Sequence, residues 1–277
     1  MEEDKTNNNA NKNYRTPFYE TWRPFTDKKG YQHKDYLYHS YIKYPDFSDQ
    51  PLKYITEFQL ITKDLVSIFD FIEPSDSNFK CYSNRIYKVF IRTCIAIESN
   101  FKSILKKNGY KKDKKEENDW NIKDYYKLEK THKLSEYHVE IFRFHQTKFT
   151  PFQDWNETKE YKNETKKYKP LSWWQAYNDV KHNRVNKFDQ ANLENLLNAV
   201  CALLVVLTSR VHNINNFIKP QDIRDISNNI LTRLSGVDIA TYTANIEKCF
   251  KIIYPSIDKW NEEDKYELNE PFRKLFK

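Results

Sequence analysis

The residues best suited to chemistry lie in one short segment of this chain, from Asn178 to Arg184. Asn178 and His182 are four residues apart, so on a helix their side chains meet on one face. Histidine titrates near neutral pH and can accept or donate a proton, and a neighbouring amide can orient its ring. Lys181 and Arg184 add positive charge beside this pair. The segment is therefore the candidate site.

One helix, from about residue 172 to about residue 185, is predicted to position these side chains. Pro170 and Ser172 indicate its start, because proline suits a first turn and a hydroxyl can cap free N–H groups. The pattern then continues without a helix breaker. A largely apolar stripe at helical spacing is predicted to face the core, and it consists of Trp173, Tyr177, Val180 and Arg184.

The composition predicts a folded, mainly α-helical protein. Hydrophobic residues make up only 39% of the 277 residues, but aromatic residues reach 16%, and large rings can build a core from fewer residues. Only three glycines are present, which argues against an all-β fold with many tight turns. The same scarcity argues against glycine-rich phosphate loops.

The net charge of +7 favours anionic partners, nucleic acid first, although a lysine-rich coding background would give the same excess. Three cations recur at helical spacing further up the chain, at Arg85, Lys88 and Arg92. They are interpreted either as a phosphate-binding row or, more commonly for such patterns, as a solvated helix face.

No cofactor or metal site is predicted. The four cysteines form no CxxC pair, and His138 and His145 lack partners at metal-ligand spacing. Residues 1–13 are polar and do not resemble a signal peptide, and the longest apolar run, over 199–207, is too short to span a membrane. These features predict a cytoplasmic protein that does not bind a membrane.

The chain is predicted to divide into three parts. A polar, aromatic-rich, partly disordered arm covers 1–50, a helical core with a small strand insertion covers 51–215, and a C-terminal helical extension covers 216–277. The arm is expected to pack on the domain or on a partner subunit. Periodicity predicts helices over 51–71, 84–107, 122–130, 190–211, 222–234 and 239–253, and short strands over 137–149.

The helix over 190–211, with Asp189 as its predicted cap, is apolar nearly all round. This pattern is typical of the central helix of a core or of a subunit interface.

The order of these helices and the segment Asn178-Asp-Val-Lys-His182 resemble the HEPN superfamily over about residues 80 to 212. The family motif is an arginine, four to six residues and a histidine, often with asparagine directly after the arginine. Here Tyr177 occupies the arginine position, and no arginine stands at that distance before any of the seven histidines.

The resemblance implies a HEPN-like helical bundle, a homodimer and metal-independent RNA cleavage, in a bacterial defence protein or a toxin paired with an antitoxin. His182 would be the acid or base, and Asn178 would orient His182 or a phosphate oxygen. Positive charge would have to come from Lys181, Arg184 or the row of Arg85, Lys88 and Arg92.

Three other interpretations remain open at this stage. Asn178 and His182 could be a buried hydrogen-bonded pair that fixes helix packing, with Trp173 and Trp174 as ordinary core. Tyr177 at the arginine position favours a non-catalytic HEPN-like module that binds nucleic acid or a partner protein. The third interpretation is a structural or regulatory helical subunit.

Overall fold

The computed structural model describes residues 20–21, 51–112, 116–142, 144, 147–156, 169–211, 249–253 and 255. Helices make up 68% of this part, which confirms a mainly α-helical fold. The helices are α1 (Pro51–Ile68), α2 (Asn84–Lys107), α3 (Ile122–Tyr125), α4 (Glu129–His132), α5 (Ser172–His182), α6 (Arg184–Lys187) and α7 (Leu193–Val211). The strands are β1 (His138–Ile141), β2 (Lys148–Phe149) and β3 (Phe250–Ile253).

Helix α7 is the central helix, as its sequence predicted. It packs against α1, α2 and α5, so its apolar surface is covered on several sides by the same chain. Its window from Leu193 to Arg210 is long and apolar enough to cross a membrane, with a mean hydropathy of 1.4, but 83% of that window is buried inside the protein. This burial is typical of a helix in the core of a domain.

The start of α7 differs from the prediction. Its first turn is capped by Asn192, whose Oδ1 accepts a hydrogen bond from the Asn195 backbone N–H at 3.0 Å. Asp189, the predicted cap, lies instead in a short 3₁₀ turn before the helix. The backbone of Asn192 also pairs with Tyr82, which fixes the helix start against the chain leading into α2.

Helix α2 has the bounds that its sequence predicted, because its caps are local. The Ser83 hydroxyl accepts a hydrogen bond from the Ile86 N–H at 3.2 Å and caps the first turn. After the last turn, Gly109 takes a φ of +73°, a conformation that glycine adopts without strain. Predicted helix 122–130 is less regular, and forms the two short helices α3 and α4 joined by a 3₁₀ turn.

The strands form one antiparallel sheet in the order β2-β1-β3. Strands β1 and β2 confirm the predicted strand insertion, with Val139 opposite Phe149. Residues 250–253 form β3, so the helix predicted over 239–253 is wrong at its end. In β3, Lys251 lies opposite Glu140 of β1. The Lys251 ammonium lies 3.0 Å from the Glu140 carboxylate, and β-branched residues follow at 252–253. Apart from residues 249 and 255, the rest of the predicted helical extension lies outside the described residues.

Aromatic rings build much of the core around α2 and α5, as the composition suggested. The Phe101 ring contacts those of Tyr125, Phe152 and Trp155. The Phe152 ring centroid lies 5.0 Å from that of Trp155 and 5.9 Å from that of Trp173. The Trp173 indole N–H donates to the Pro151 carbonyl at 2.8 Å. These contacts hold the face of α5 that carries Trp173 against the aromatic core.

A buried ion pair joins the N-terminal arm to the end of α7. The Glu20 carboxylate lies 2.7 Å from the Arg210 guanidinium, and the two side chains are 0% and 1% exposed. Arg210 also donates to the Asn100 side-chain oxygen and lies 4.3 Å from the Tyr54 ring centroid. At Glu20 and Thr21 the arm therefore packs on its own domain, and the remainder of the arm lies outside the described residues.

His132 lies beside this pair and is fully buried. Its Nε2 is 2.9 Å from the Glu20 carbonyl oxygen and its Nδ1 is 2.7 Å from the Thr131 hydroxyl. A neutral ring with its proton on Nε2 donates to the Glu20 carbonyl, whereas the single hydroxyl hydrogen of Thr131 has both Nδ1 and the Leu128 carbonyl within reach. Burial is the main cause that lowers the pKa of His132 from 6.5 to about 4; the hydrogen bond to the Glu20 carbonyl opposes it and the Arg210 charge adds to it.

Loss of one partner of the buried pair should destabilise the protein strongly. We expect Glu20→Ala to lower the free energy of unfolding by about 3–5 kcal/mol, because it leaves the Arg210 charge buried without its counter-ion. Lys80→Ala, which removes the exposed Lys80–Glu194 pair, is the control and should lower it by less than about 1 kcal/mol. Urea unfolding measures the free energy of unfolding of both variants. An equal decrease in the two variants would contradict the assignment of Glu20 and Arg210 as a buried ion pair.

The buried imidazole should make the fold acid-sensitive. The unfolded chain binds a proton at His132 below about pH 6.5, whereas the folded chain does so only near pH 4. The contribution of His132 to the free energy of unfolding therefore falls as the pH drops from about 6.5 to about 4. Between pH 7 and pH 4.5 we expect wild type to lose about 2–3 kcal/mol more stability than His132→Gln. Urea unfolding at both pH values measures this difference, and parallel pH dependences in the two proteins would refute it.

Candidate functional site

The candidate segment is bent, not a continuous helix. Helix α5 ends at His182, Asn183 leaves the helical conformation with φ −140° and ψ 57°, and α6 begins at Arg184. We call this bend the α5–α6 elbow. The prediction of an unbroken helix to about residue 185 is wrong, and Arg184 does not continue the apolar stripe of α5. Ser172 is the first residue of α5 and not its cap, which is Leu171.

His182 lies on the protein surface. It is the last residue of α5 and is exposed, whereas Asn178, one turn earlier, is half-buried. Among the described residues, neither side chain makes a hydrogen bond, to the other or elsewhere. The interpretation of Asn178 and His182 as a buried hydrogen-bonded pair is therefore wrong, and the imidazole is open to a ligand.

The opposite face of α5 is buried, as the predicted stripe required. Trp173, Trp174 and Tyr177 are almost fully enclosed, and Tyr177 is 1% exposed. Burial raises the pKa of Tyr177, and the neighbouring Glu98 carboxylate raises it further, so the phenol stays neutral. The position that the family motif gives to arginine is thus occupied by a neutral ring facing the core.

Arg184 is held in place at the elbow by aromatic rings and an amide. Its guanidinium carbon lies 4.3 Å from the Tyr87 ring centroid and 5.4 Å from that of Phe188. Its Nη2 donates to the Asn84 side-chain oxygen at 2.8 Å. Arginine can stack on rings and still use its remaining N–H groups to bind a phosphate. Arg184 is therefore an oriented, exposed cation two residues after His182.

Lys181 is the second cation next to His182. Its ammonium lies 5.2 Å from the Tyr177 ring centroid, so its stem covers the buried phenol while the charge remains exposed. Exposed ammonium groups on such stems can move to meet a ligand. In the sequence, Lys181 thus directly precedes His182 and Arg184 follows it by two residues.

The predicted cationic row on α2 does not act as one unit. Arg85 donates to the Ser67 hydroxyl at 2.6 Å, and Arg92 pairs with the Asp64 carboxylate at 3.1 Å. Both partners lie on α1, so these two arginines belong to the α1–α2 contact. Lys88 is exposed and lies one helical turn from Asn84, which contacts Arg184. Of the row, Lys88 is the member placed toward the elbow.

Beside Lys181 lies a surface groove of about 520 Å³, which the sequence did not reveal. Two of its lysines are paired with carboxylates: Lys102 with Glu98 and Lys106 with Glu117, each at 2.9 Å. The regular spacing of 98, 102 and 106 on α2 was the available sequence signal, but it is also typical of any solvated helix face. His182 does not line this groove.

Within the part of the chain that the structure describes, no three His, Cys, Asp or Glu side chains gather as metal ligands. His138 is half-buried in β1, and His145 lies outside the described residues. Burial raises the pKa of the Cys94 and Cys201 thiols, as expected for small core residues. The arrangement at the elbow can transfer a proton through His182 and bind an anion through Arg184 and Lys181.

No family model matches this chain, and no curated protein and no solved structure is significantly similar to it. The resemblance to the HEPN superfamily therefore depends on the segment from Asn178 to His182 and on the order of the helices.

The different exposures of two histidines give a direct test of this site. We expect diethylpyrocarbonate to modify His182 rapidly in the native protein, because its ring is exposed, and to modify His132 only after unfolding. Mass spectrometry of peptides from native and urea-treated protein measures both rates. Equal protection of the two rings in the native protein would show that His182 is buried.

Proposed function

We propose that the protein is an RNA-acting, HEPN-like protein that cleaves RNA without a metal at a site centred on His182. The observation that carries the proposal is the exposed imidazole at the α5–α6 elbow, with Arg184 oriented close to it in the chain by Tyr87 and Asn84. The net charge of +7 supports an anionic substrate. The fold class supports it only in being mainly α-helical.

The reaction follows from the parts of the site. The ribose 2′-hydroxyl attacks the adjacent phosphorus, the bond to the 5′ oxygen breaks, and a 2′,3′-cyclic phosphate and a 5′-hydroxyl result. His182 would take the proton from the 2′-hydroxyl or give one to the leaving oxygen. Arg184 and Lys181 would stabilise the negative charge of the transition state. Asn178 would orient His182 or a phosphate oxygen.

One imidazole performs only one of the two proton transfers. The resemblance supplies the other in a homodimer, where two motifs face each other, so we propose that the active form is a homodimer. A nuclease of this kind needs restraint in the cell. We therefore propose a cytoplasmic toxin or defence protein whose partner is an antitoxin or another defence protein.

A second candidate function is RNA or partner binding without cleavage. It is favoured by Tyr177, which is buried and neutral where the family motif has a cation. In this case His182, Lys181 and Arg184 would contact phosphates without transferring protons.

Cleavage of RNA in EDTA distinguishes the two functions. We expect the purified protein to cut RNA, and His182→Ala to slow cleavage by roughly 10²–10⁴-fold, the usual contribution of a general acid or base. Asn178→Ala should also slow it. Gln175→Ala, exposed on the same helix, is the matched control and should leave the rate unchanged.

The outcomes separate cleanly when binding is measured on the same samples. Cleavage by His182→Ala at the wild-type rate would refute the His182-centred mechanism. Binding of RNA by wild type without cleavage in EDTA would establish the second candidate. If the wild-type protein, as a dimer or as a monomer, neither binds nor cleaves RNA, both candidate functions are refuted.

A further inference from the structure

A continuous cluster of three aromatic rings and one arginine lies where the elbow meets the N-terminal end of α2. We call it the elbow cluster, and it consists of Tyr82, Tyr87, Arg184 and Phe188. The centroid of the Tyr82 ring lies 5.7 Å from that of Phe188 with an interplanar angle of 88°, and the centroid of the Tyr87 ring also lies 5.7 Å from that of Phe188. Arg184 stacks over Tyr87, so each member supports the next.

The backbone beneath Tyr82 is fixed by the start of α7. The Leu193 N–H donates to the Cys81 carbonyl at 2.8 Å, and the Glu194 N–H donates to the Phe79 carbonyl at 3.0 Å. Tyr82 itself pairs with Asn192 in an isolated bridge. The Tyr82 ring is thus presented from a well-anchored backbone, which lowers the conformational entropy that this part of the protein would lose on binding a ligand.

The elbow cluster combines unusual exposure with unneutralised charge. Tyr82 is 54% exposed, and Val185, next to Arg184 in sequence, is 92% exposed. Arg184 is partnered by the neutral amide of Asn84, whereas Arg92 and Lys106 are paired with carboxylates. An exposed ring beside an arginine with donors to spare suits a ligand that has both a flat apolar face and a negative charge.

We propose that the elbow cluster binds one unpaired nucleotide, whose base stacks on the Tyr82 ring and whose phosphate binds Arg184. This inference rests on the proposed function, and it deepens it by placing the scissile phosphate beside His182. A base in a duplex has both faces covered by its neighbours, so the cluster selects single-stranded over double-stranded RNA. Tyr82 is a specificity-determining residue and takes no part in the proton transfers.

Binding of a 2′-O-methyl oligonucleotide tests the inference without interference from cleavage, because this RNA lacks the 2′-hydroxyl nucleophile. One base is replaced by 2-aminopurine, whose fluorescence falls when it stacks on an aromatic ring. We expect the full-length protein to quench a single strand and to bind the matching duplex more weakly. Tyr82→Ala should abolish the quenching and weaken binding roughly 5- to 150-fold, the range for loss of one stacked base.

Two further variants isolate stacking from folding and from charge. Tyr82→Phe keeps the ring and should retain both quenching and affinity. Arg184→Gln removes one phosphate contact and should reduce the slope of log affinity against log salt by roughly 0.7, the value for one contact on a single strand. Phe142→Ala, which removes an exposed ring at the end of β1, is the matched control and should behave as wild type.

The inference and the proposed function fail in different ways. If wild type binds the single strand but Tyr82→Ala binds and quenches equally, the elbow cluster is not the base site and the proposed function stands. Equal affinity of the wild-type protein for the single strand and the duplex would also refute the elbow cluster as the base site and leave the proposed function standing. If wild type binds no RNA, the proposed function fails and this inference fails with it.

Discussion

Burial of α7 is the constraint on which the rest of the structure depends. Its side chains from Ala199 to Leu207 are all apolar and all buried. Removing one buried leucine of this kind typically costs about 2–5 kcal/mol, so α1, α2 and α5 must all cover the helix. Polar contacts fix its two ends: Asn192 with Tyr82 at the start, and Arg210 with Glu20 and Asn100 at the end.

The exposure of His182 follows from this packing. Helix α5 covers the core with Trp173, Tyr177 and Val180, and on a helix of 3.6 residues per turn Asn178 and His182 must then lie away from the most buried line. The bend at Asn183 turns the chain back toward α2, where Arg184 meets Tyr87. The site is therefore a consequence of how α5 is anchored, and its cations are positioned by aromatic neighbours.

Periodicity and local caps were sufficient to predict much of the fold. Helix α2 has its predicted bounds because Ser83 and Gly109 lie next to its ends in sequence. The end of α5 could not be predicted in this way, because Arg184 keeps the helical spacing and only its contact with Asn84, 100 residues away, shows where it lies. Strand β3 depends in the same way on the free edge of β1, more than a hundred residues earlier.

The cationic row shows the same limit at the level of function. Spacing alone places Arg85, Lys88 and Arg92 near one face of α2, but α1 supplies Ser67 and Asp64 to two of them. A sequence pattern gives the direction of a side chain on its helix and not the partner that another helix offers there. Of the candidate cations, Arg184, Lys181 and Lys88 are exposed and form no ion pair with the described residues, so they remain available to an anionic ligand.

Photo-crosslinking of a 4-thiouridine-labelled RNA to the full-length protein, with the attached peptides identified by mass spectrometry, shows where RNA contacts the protein. We expect adducts within residues 178–188 and 82–88, the two segments that meet at the elbow. Adducts confined to other segments, or the same yield from Arg184→Gln as from wild type, would contradict this expectation.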